Sequence, residues 1–576
     1  RGLADTPPSP QHRDRPCCPT RPNPTIACVS TMTIYDHLGV GFGPANLALC
    51  ISLYENADAR ASRFTMCFIE RQPAFAWHPS LLLPGAQLQV SPLKDLATMR
   101  DPTSSFTFLN FLHEHGRLMP YINREEKVPS RREWSAYLAW AAKRMDSFVR
   151  YGRQVVDIVP IEENGSFSYF QVECLENSTQ KRESFFARNV SLGVGGWANI
   201  PDVFQPMYKY PLPASEAVCR VVHASSFLPQ MMHLGPVLNA TQLSSRPLRL
   251  AVIGGGQSSA EMLCYLRDHY PQAALDMIFR APALVPSDDS PFVNAAAFDP
   301  SSVTTFWEST ASQRRRQLAE FKRTNYSVVR NDLLSELYEI VYDQDVNYRE
   351  PLEEDKGLVR ILASTELVRA EQLPDGRLQI DTRTNVGERL ERTHTYDAVF
   401  LGTGFQRDPS QLPFVRTLAN HFPLLSQQGS AQLREQELAL DDQASLSQDP
   451  DSLRAQLRGI TRDYRLVPSD ASQWKLPLTP PSSTIQHIPR SQLGREGRRE
   501  PTLSRHNARW PPASSTHPAS ESTSTSSAPL KPMAGAVFLF GCNEPTHGLS
   551  DSLMSMVAHR AGIVTASLLY GMQTHS

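Results

Sequence analysis

The chain has 576 residues, 40% of them hydrophobic and 20% charged, enough apolar material for two or three packed domains. Its formal net charge of -2 gives no electrostatic footprint for nucleic acid or for an anionic membrane surface. No apolar run approaches the roughly 18 residues that a spanning helix needs, so no membrane partner is expected.

Residues 1–31 are proline-rich, lack apolar periodicity and mix Asp5 and Asp14 with arginines, which fits neither a secretory signal nor a transit peptide. They read as a disordered or wrongly assigned extension, with Met32 as the initiator. Tyr35–Val40 then reads as a strand that breaks into a glycine turn, Asn46–Tyr54 as a helix and Phe64–Glu70 as the next strand. Phe106, Phe108 and Phe111 read as a packed helical face. The strand–turn–helix–strand grammar returns at Leu248–Ile253, Gly254–Gln257, Ser258–His269 and Met277–Arg280. A third strand, Tyr396–Leu401, ends in a glycine turn at Gly402–Gly404. Residues 470–532 are rich in Pro, Ser, Thr and Arg, a composition that buries too little apolar surface to offset ordering. They read as a disordered insertion. A strand at Ala536–Phe540 follows, and the apolar stretch Gly562–Met572 belongs to a packed helix.

The expected fold class is therefore α/β, with two Rossmann-like dinucleotide-binding domains built on doubly wound parallel sheets and a smaller substrate-binding region between them. The boundaries drawn are 32–240 for the first domain, 241–395 for the second, 396–469 for a return to the first, 470–532 for the insertion and 533–576 for a closing segment.

The first loop is Gly41-Phe42-Gly43-Pro44-Ala45-Asn46. Gly41 permits the tight turn, Gly43 lets backbone approach a pyrophosphate, and the following helix aims its amide dipole at the phosphates. Asn46 stands where the fingerprint has its third glycine. Glu70, at the end of the next strand, can accept hydrogen bonds from a ribose 2′-hydroxyl. The second loop is Gly254-Gly255-Gly256-Gln257-Ser258-Ser259, with Gly254, Gly256, Gln257 and Ser258 as the candidate cofactor contacts. Arg280 occupies the place that Glu70 has in the first unit, and a cation there pairs with a 2′-phosphate. The opposite charges at the two strand ends predict FAD at the first site and NADPH at the second, and so electron transfer between two cofactors.

Nine cysteines, at 17, 18, 28, 50, 67, 174, 219, 264 and 542, form neither a dense framework nor a CxxC pair. Free thiols in a reducing, cytoplasmic setting are expected. A disulfide reductase, which shares paired dinucleotide folds, is excluded by the missing dithiol. The histidines show no ligand spacing, and no metal is expected.

With these loops in place, several long blocks resemble the N-hydroxylating flavin monooxygenases, most closely the L-ornithine N5-monooxygenases of hydroxamate siderophore synthesis. The blocks are GVGFGPANLAL (39–49), LQVSPLKDLATMRDPTSSFTFLNFL (88–112), VIGGGQSSAE (252–261), SDDSPFVN (287–294), TNYSVV (324–329), YDAVFLGTGF (396–405) and GCNEPTHGLSDSLMS (541–555). The resemblance implies that NADPH reduces FAD, that dioxygen forms a C4a-hydroperoxide on the flavin, and that the neutral side-chain amine of L-ornithine attacks it. It implies a tetramer as well. Residue by residue, Gln89 is similar to the group beside the reactive edge of the flavin. Lys94 matches the cation for the substrate α-carboxylate. Asn294, Asn325 and Ser555 match substrate contacts, with Asn325 near the reacting amine, and Tyr326 packs on the NADP. Two departures touch the pocket's shape: Phe405 replaces a tyrosine, and Pro92 stands where a larger apolar residue is expected.

A Baeyer–Villiger relative would carry an FxGxxxH linker, and the nearest text, Val221-Val222-His223-Ala224-Ser225, lacks its glycines. An inactive nucleotide-binding paralogue would have lost Lys94, Asn294 or Ser555. A lysine N6-hydroxylase is the closest alternative, because one methylene is worth only about 1–3 kcal/mol of discrimination.

Overall fold

The computed structural model describes residues 33–125, 128–163, 166–210, 218–242, 246–347, 357–444, 447–469 and 535–573. The expectations for residues 1–31, for Met32 and for the 470–532 insertion lie outside the described residues. The first sheet is built from β1 (Ile34–Val40), β2 (Met66–Ile69), β3 (Val149–Arg150), β4 (Arg153–Glu163), β5 (Ser166–Glu176) and β6 (Arg182–Leu192). A short strand, β7 (Trp197–Ala198), leads out of it. Then come β8 (Val221–His223), β9 (Arg249–Ile253), β10 (Ala274–Ile278) and β11 (Val359–Leu362). A meander of β12 (Thr365–Gln372), β13 (Leu378–Thr384) and β14 (Glu391–Tyr396) precedes β15 (Ala398–Leu401) and β16 (Phe405–Gln406). The last strand, β17 (Val537–Leu539), returns to the first sheet.

The first sheet runs β3-β2-β1-β6-β5-β4, and β17 pairs with β6. Val190 of β6 has Leu38 of β1 on one side and Val537 of β17 on the other, both parallel. Alternation along the strands sends Leu38, Val40, Val190, Val537 and Leu539 to one face, where they pack with Ile158, Phe170, Leu418 and Phe422. The opposite face is covered by the helices Pro44–Glu55, Arg131–Arg144 and Val557–Gln573. Their Leu47, Trp134, Tyr137, Leu138, Val564 and Leu568 join Phe68 in a second core. Phe106, Phe108 and Phe111 are all buried in this core. Their helix begins only at Phe108, because Thr107 caps it by accepting from the Asn110 amide, so Phe106 packs from the preceding turn.

The second sheet runs β11-β10-β9-β15-β8 and is parallel throughout. Leu250 and Val252 of β9 face the helices Phe227–Gln242 and Gln257–His269, while Ala251 and Ile253 face the meander through Leu378, Ile380 and Tyr396. This topology moves two boundaries. β8 lies before residue 241 and β15 after residue 395, yet both belong to the second sheet. A short apolar strand that ends in a glycine turn fits either sheet; its hydrogen-bond partners decide, and β15 pairs with β9 and β8. The return to the first domain therefore follows the two-stranded junction of β16 with β7, not residue 395.

Candidate active site

The first glycine loop leaves β1 and enters the helix Pro44–Glu55, whose N-cap is Gly43 with no side-chain cap and whose first helical residue is Pro44. The helix's first amides thus keep no internal acceptor, the condition for binding a phosphate. Gly41 sits at φ +80, and a Cβ there would come within 2.9 Å of the Gly193 carbonyl. The Glu70 carboxylate accepts from the Phe42 amide at 2.7 Å and from the Gln72 amide at 2.8 Å, so it shapes the loop it faces. Asn46 is fully buried, and every polar atom of its side chain is engaged. Its Nδ2 donates to the Val40 and Gly41 carbonyls at 3.1 and 2.6 Å, and its Oδ1 accepts from the Ser191 hydroxyl at 2.8 Å. Because the Ser191 proton goes to Asn46, His37 must donate to Ser191 from Nε2, at 3.0 Å. Burial pushes the His37 pKa down to about 3, so the ring stays neutral. Asn46, read from sequence as a cofactor contact, thus directs its side chain away from the phosphate cradle and clasps β1 to β6.

The second loop leaves β9 and enters the helix Gln257–His269, again with a glycine N-cap, Gly256, and no capping side chain. Gly254 has φ +124, and a Cβ there would meet the Gly402 carbonyl at 2.5 Å. Ser258 is half-buried in the loop's first helical turn. Arg280 lies exposed just past β10, and among the described residues its side chain has no hydrogen-bond or ion-pair partner. Gln257 is held on both ends. Its Oε1 accepts from the Arg330 amide at 2.9 Å and from Gln89 Nε2 at 3.3 Å, and its Nε2 donates to Glu261 at 2.9 Å. Arg131 of the first domain completes the chain with a 2.7 Å ion pair to Glu261. Gln89 is therefore linked directly to the second glycine loop.

Lys94 and Asn294, 200 residues apart, are brought together: Lys94 Nζ donates to Asn294 Oδ1 at 3.1 Å and to the Phe298 carbonyl at 3.2 Å. Desolvation lowers the Lys94 pKa, and Asp299 partly opposes this. Asn294 is oriented in turn by donation to the Asp289 carbonyl at 2.6 Å. Ser555 is buried, and among the described residues its hydroxyl has no hydrogen-bond partner, as is true of Asn543 Oδ1 and Ser550 Oγ in the same segment. Such orphaned groups are costly unless a ligand satisfies them. Asn325 ends the helix Ala311–Asn325, and its side chain makes no hydrogen bond among the described residues. The elements bearing Asn294, Asn325 and Ser555 converge in one apolar cluster: Val293, Phe298, Phe321, Tyr326, Leu549 and Leu553. Phe405 lies edge-on to His223, 5.4 Å between ring centres, so at this position an aromatic packing contact stands in place of a hydroxyl.

Sequence reasoning missed Glu261, Arg131, Arg407, Glu544 and Ser552. Apart from the helical spacing of Glu261 from Gln257, no spacing marks them, because Arg131 meets Glu261, and Arg407, Glu544 and Ser552 meet Tyr326, over long separations in the chain. Among the described residues there is no cluster of three metal-ligating side chains, and no helix is long and apolar enough to cross a membrane. Cys50 and Cys67 are both free and buried. Both glycine cradles and the orphaned polar atoms fit two dinucleotides and a polar substrate.

The family model for L-lysine 6-monooxygenase/L-ornithine 5-monooxygenase matches residues 33–407. The chain belongs to that family. It is 43% identical to the L-ornithine N(5)-monooxygenase of Mycosarcoma maydis, over 93% of this chain and 85% of that protein. Among solved structures it is similar to the ornithine hydroxylase of Pseudomonas aeruginosa, with TM-score 0.67 and 28% identity, covering 94% of this chain and 100% of that one. The Kutzneria sp. 744 ornithine N-hydroxylase, described with reduced FAD, NADP+ and L-ornithine, gives TM-score 0.66 and 26% identity, covering 93% of this chain and 99% of that one.

Proposed function

We propose that the protein is an FAD- and NADPH-dependent monooxygenase that hydroxylates the side-chain amine of L-ornithine, the opening step of hydroxamate siderophore synthesis. One turnover consumes ornithine, dioxygen, NADPH and a proton, and yields N5-hydroxyornithine, water and NADP+. The observation that carries the reading is the Lys94–Asn294 contact; Phe298, whose carbonyl also accepts from Lys94, packs in one cluster with Leu553, two residues before Ser555. Lys94 takes the α-carboxylate by a charge-assisted hydrogen bond. Asn294 holds the Lys94 ammonium, and Ser555 and Asn325 supply the remaining polar contacts to the amino acid. When bound, the two cofactors supply reducing equivalents and the activation of dioxygen. Gly41, Gly43, Glu70 and Gln89 hold the flavin; Gly254, Gly256, Gln257, Ser258, Arg280 and Tyr326 hold NADPH. The apolar cluster around Phe298 and Leu553 excludes water from the reacting amine. A tetramer in a cytoplasmic setting completes the reading; light scattering of the purified protein tests the assembly.

Lys94→Ala raises the KM for ornithine on the order of a hundredfold, while NADPH oxidation continues and releases hydrogen peroxide. An unchanged ornithine KM removes Lys94 from the site, and a product assay that favours lysine over ornithine changes the substrate. The pH profile has a defined sign. The amine reacts as the free base, so kcat/KM rises with pH. Lys94 loses its charge at a lower pH than an ordinary lysine, so kcat/KM falls again on an alkaline limb below the usual lysine range. A profile that plateaus through that range shows that Lys94 does not hold the carboxylate.

A further inference from the structure

The turn that follows Asn325 is held from two sides. Tyr326 closes the helix Ala311–Asn325, its amide donating to the Lys322 carbonyl at 2.8 Å, and Ser327 follows at φ +56. On one side the Ser327 Cα lies 3.4 Å from the position of a Cβ on Gly256 of the second glycine loop. On the other, the Tyr326 hydroxyl reaches the C-terminal segment. It donates to the Glu544 carboxylate and accepts from Arg407 at 3.1 Å, with Ser552 Oγ at 3.2 Å. The Ser552 hydroxyl donates to the same Glu544 oxygen, and Lys322 Nζ stands 3.9 Å from the other. The Glu544 side chain is only 13% exposed.

These donors fix the phenol completely: its proton is committed to Glu544 and its oxygen faces the Arg407 guanidinium. The neighbouring Asn325 amide has no such commitment. The arrangement thus fixes one side chain of the turn by hydrogen bonds and leaves the adjacent one without any among the described residues. A purely structural seam has no reason to make that distinction.

We propose that Glu544 is a positioning residue for the hydroxylation: by holding the Tyr326 hydroxyl it fixes the turn between the second glycine loop and the C-terminal segment, and so sets Asn325 on the substrate amine. This rests on the functional reading above. Arg407, from the junction between the two sheets, orients the same hydroxyl from the opposite side.

The test uses the full enzyme with FAD. Two quantities are measured: hydroxyornithine formed per NADPH oxidised, and NADP+ affinity by fluorescence titration without turnover. Glu544→Ala lowers the coupling about ten- to a hundredfold, as loss of a hydrogen bond to a charged group does, and weakens NADP+ severalfold. Glu544→Gln keeps a carbonyl acceptor for both hydroxyls and stays within about threefold of the parent on the same basis. Tyr326→Phe reproduces Glu544→Ala, and the double variant is no worse than either, because both remove one contact. If Glu544→Ala does not fold, Glu544→Asp, which keeps the charge but is one methylene short, replaces it in the cycle. The proposal is overturned by a disrupted variant that couples like the parent, by Glu544→Gln being as poor as the disruption, or by losses that multiply in the double variant. A parent enzyme that makes no hydroxyornithine overturns the functional reading instead, and the NADP+ titrations then decide the role of Glu544.

Discussion

The two glycine loops share a local design and differ in what surrounds them. In the first, Glu70 is engaged with loop amides and Asn46 locks β1 to β6 through Ser191 and the neutral His37. The loop is hydrogen-bonded on both flanks without any ligand present. In the second, Arg280 stands exposed without a partner among the described residues, and the loop's fixed point is Gln257, held by groups from both domains. The first site suits a cofactor that stays bound. The second leaves its charge available to select one that comes and goes.

Substitutions that should affect only one of the loops sharpen this contrast. The largest effect is expected from Asn46→Gly, which restores the dinucleotide fingerprint yet removes three hydrogen bonds and takes away the acceptor of the buried Ser191 hydroxyl proton. It costs about 2–4 kcal/mol of stability, read from the denaturant midpoint. An unchanged midpoint would mean that the clasp is dispensable. Next, Arg280→Ala lowers the preference for NADPH over NADH by about ten- to a hundredfold, with NADH kinetics nearly constant. If the preference survives, the 2′-phosphate is read elsewhere. The smallest structural effect is expected at Gly43. Its φ is -77, and the nearest atom to an added Cβ, the Gly193 carbonyl oxygen, is 3.9 Å away. Gly43→Ala therefore leaves the stability of the FAD-free chain within about 1 kcal/mol, yet it weakens FAD severalfold because the methyl fills the cradle. A stability loss without a loss of FAD would reverse that assignment.

Much of this was legible in the chain itself. Both glycine turns and the helices behind them lie where the glycines and apolar runs put them, but the strand read at Met277–Arg280 runs over Ala274–Ile278, so Arg280 stands two residues past its end whereas Glu70 directly follows β2. The blocks that resemble a known family carried Lys94 and Asn294, which the fold then joined. The domain boundaries were less legible. The run read as one strand, Tyr396–Leu401, divides between β14, which ends at Tyr396, and β15, Ala398–Leu401, and only pairing with β9 and β8 assigns β15 to its sheet. Asn46 was read as a cofactor contact from its place in a motif; its side chain has in addition a structural use, joining the end of β1 to β6, that the motif does not reveal.

The sequence by itself determined the local geometry: tight turns at Gly41 and Gly254, uncapped helix starts behind them, and the sign of the charge at each strand end. Those features are written in consecutive residues, where backbone sterics and helix dipoles act. Tertiary structure alone decided which groups meet across the chain. Ser191 reaches Asn46, Lys94 reaches Asn294, and Glu544 reaches Tyr326 over separations that leave no periodic trace. Hydrogen bonds between such partners form only once both sheets have packed, because only then are their donors and acceptors withdrawn from water and within reach.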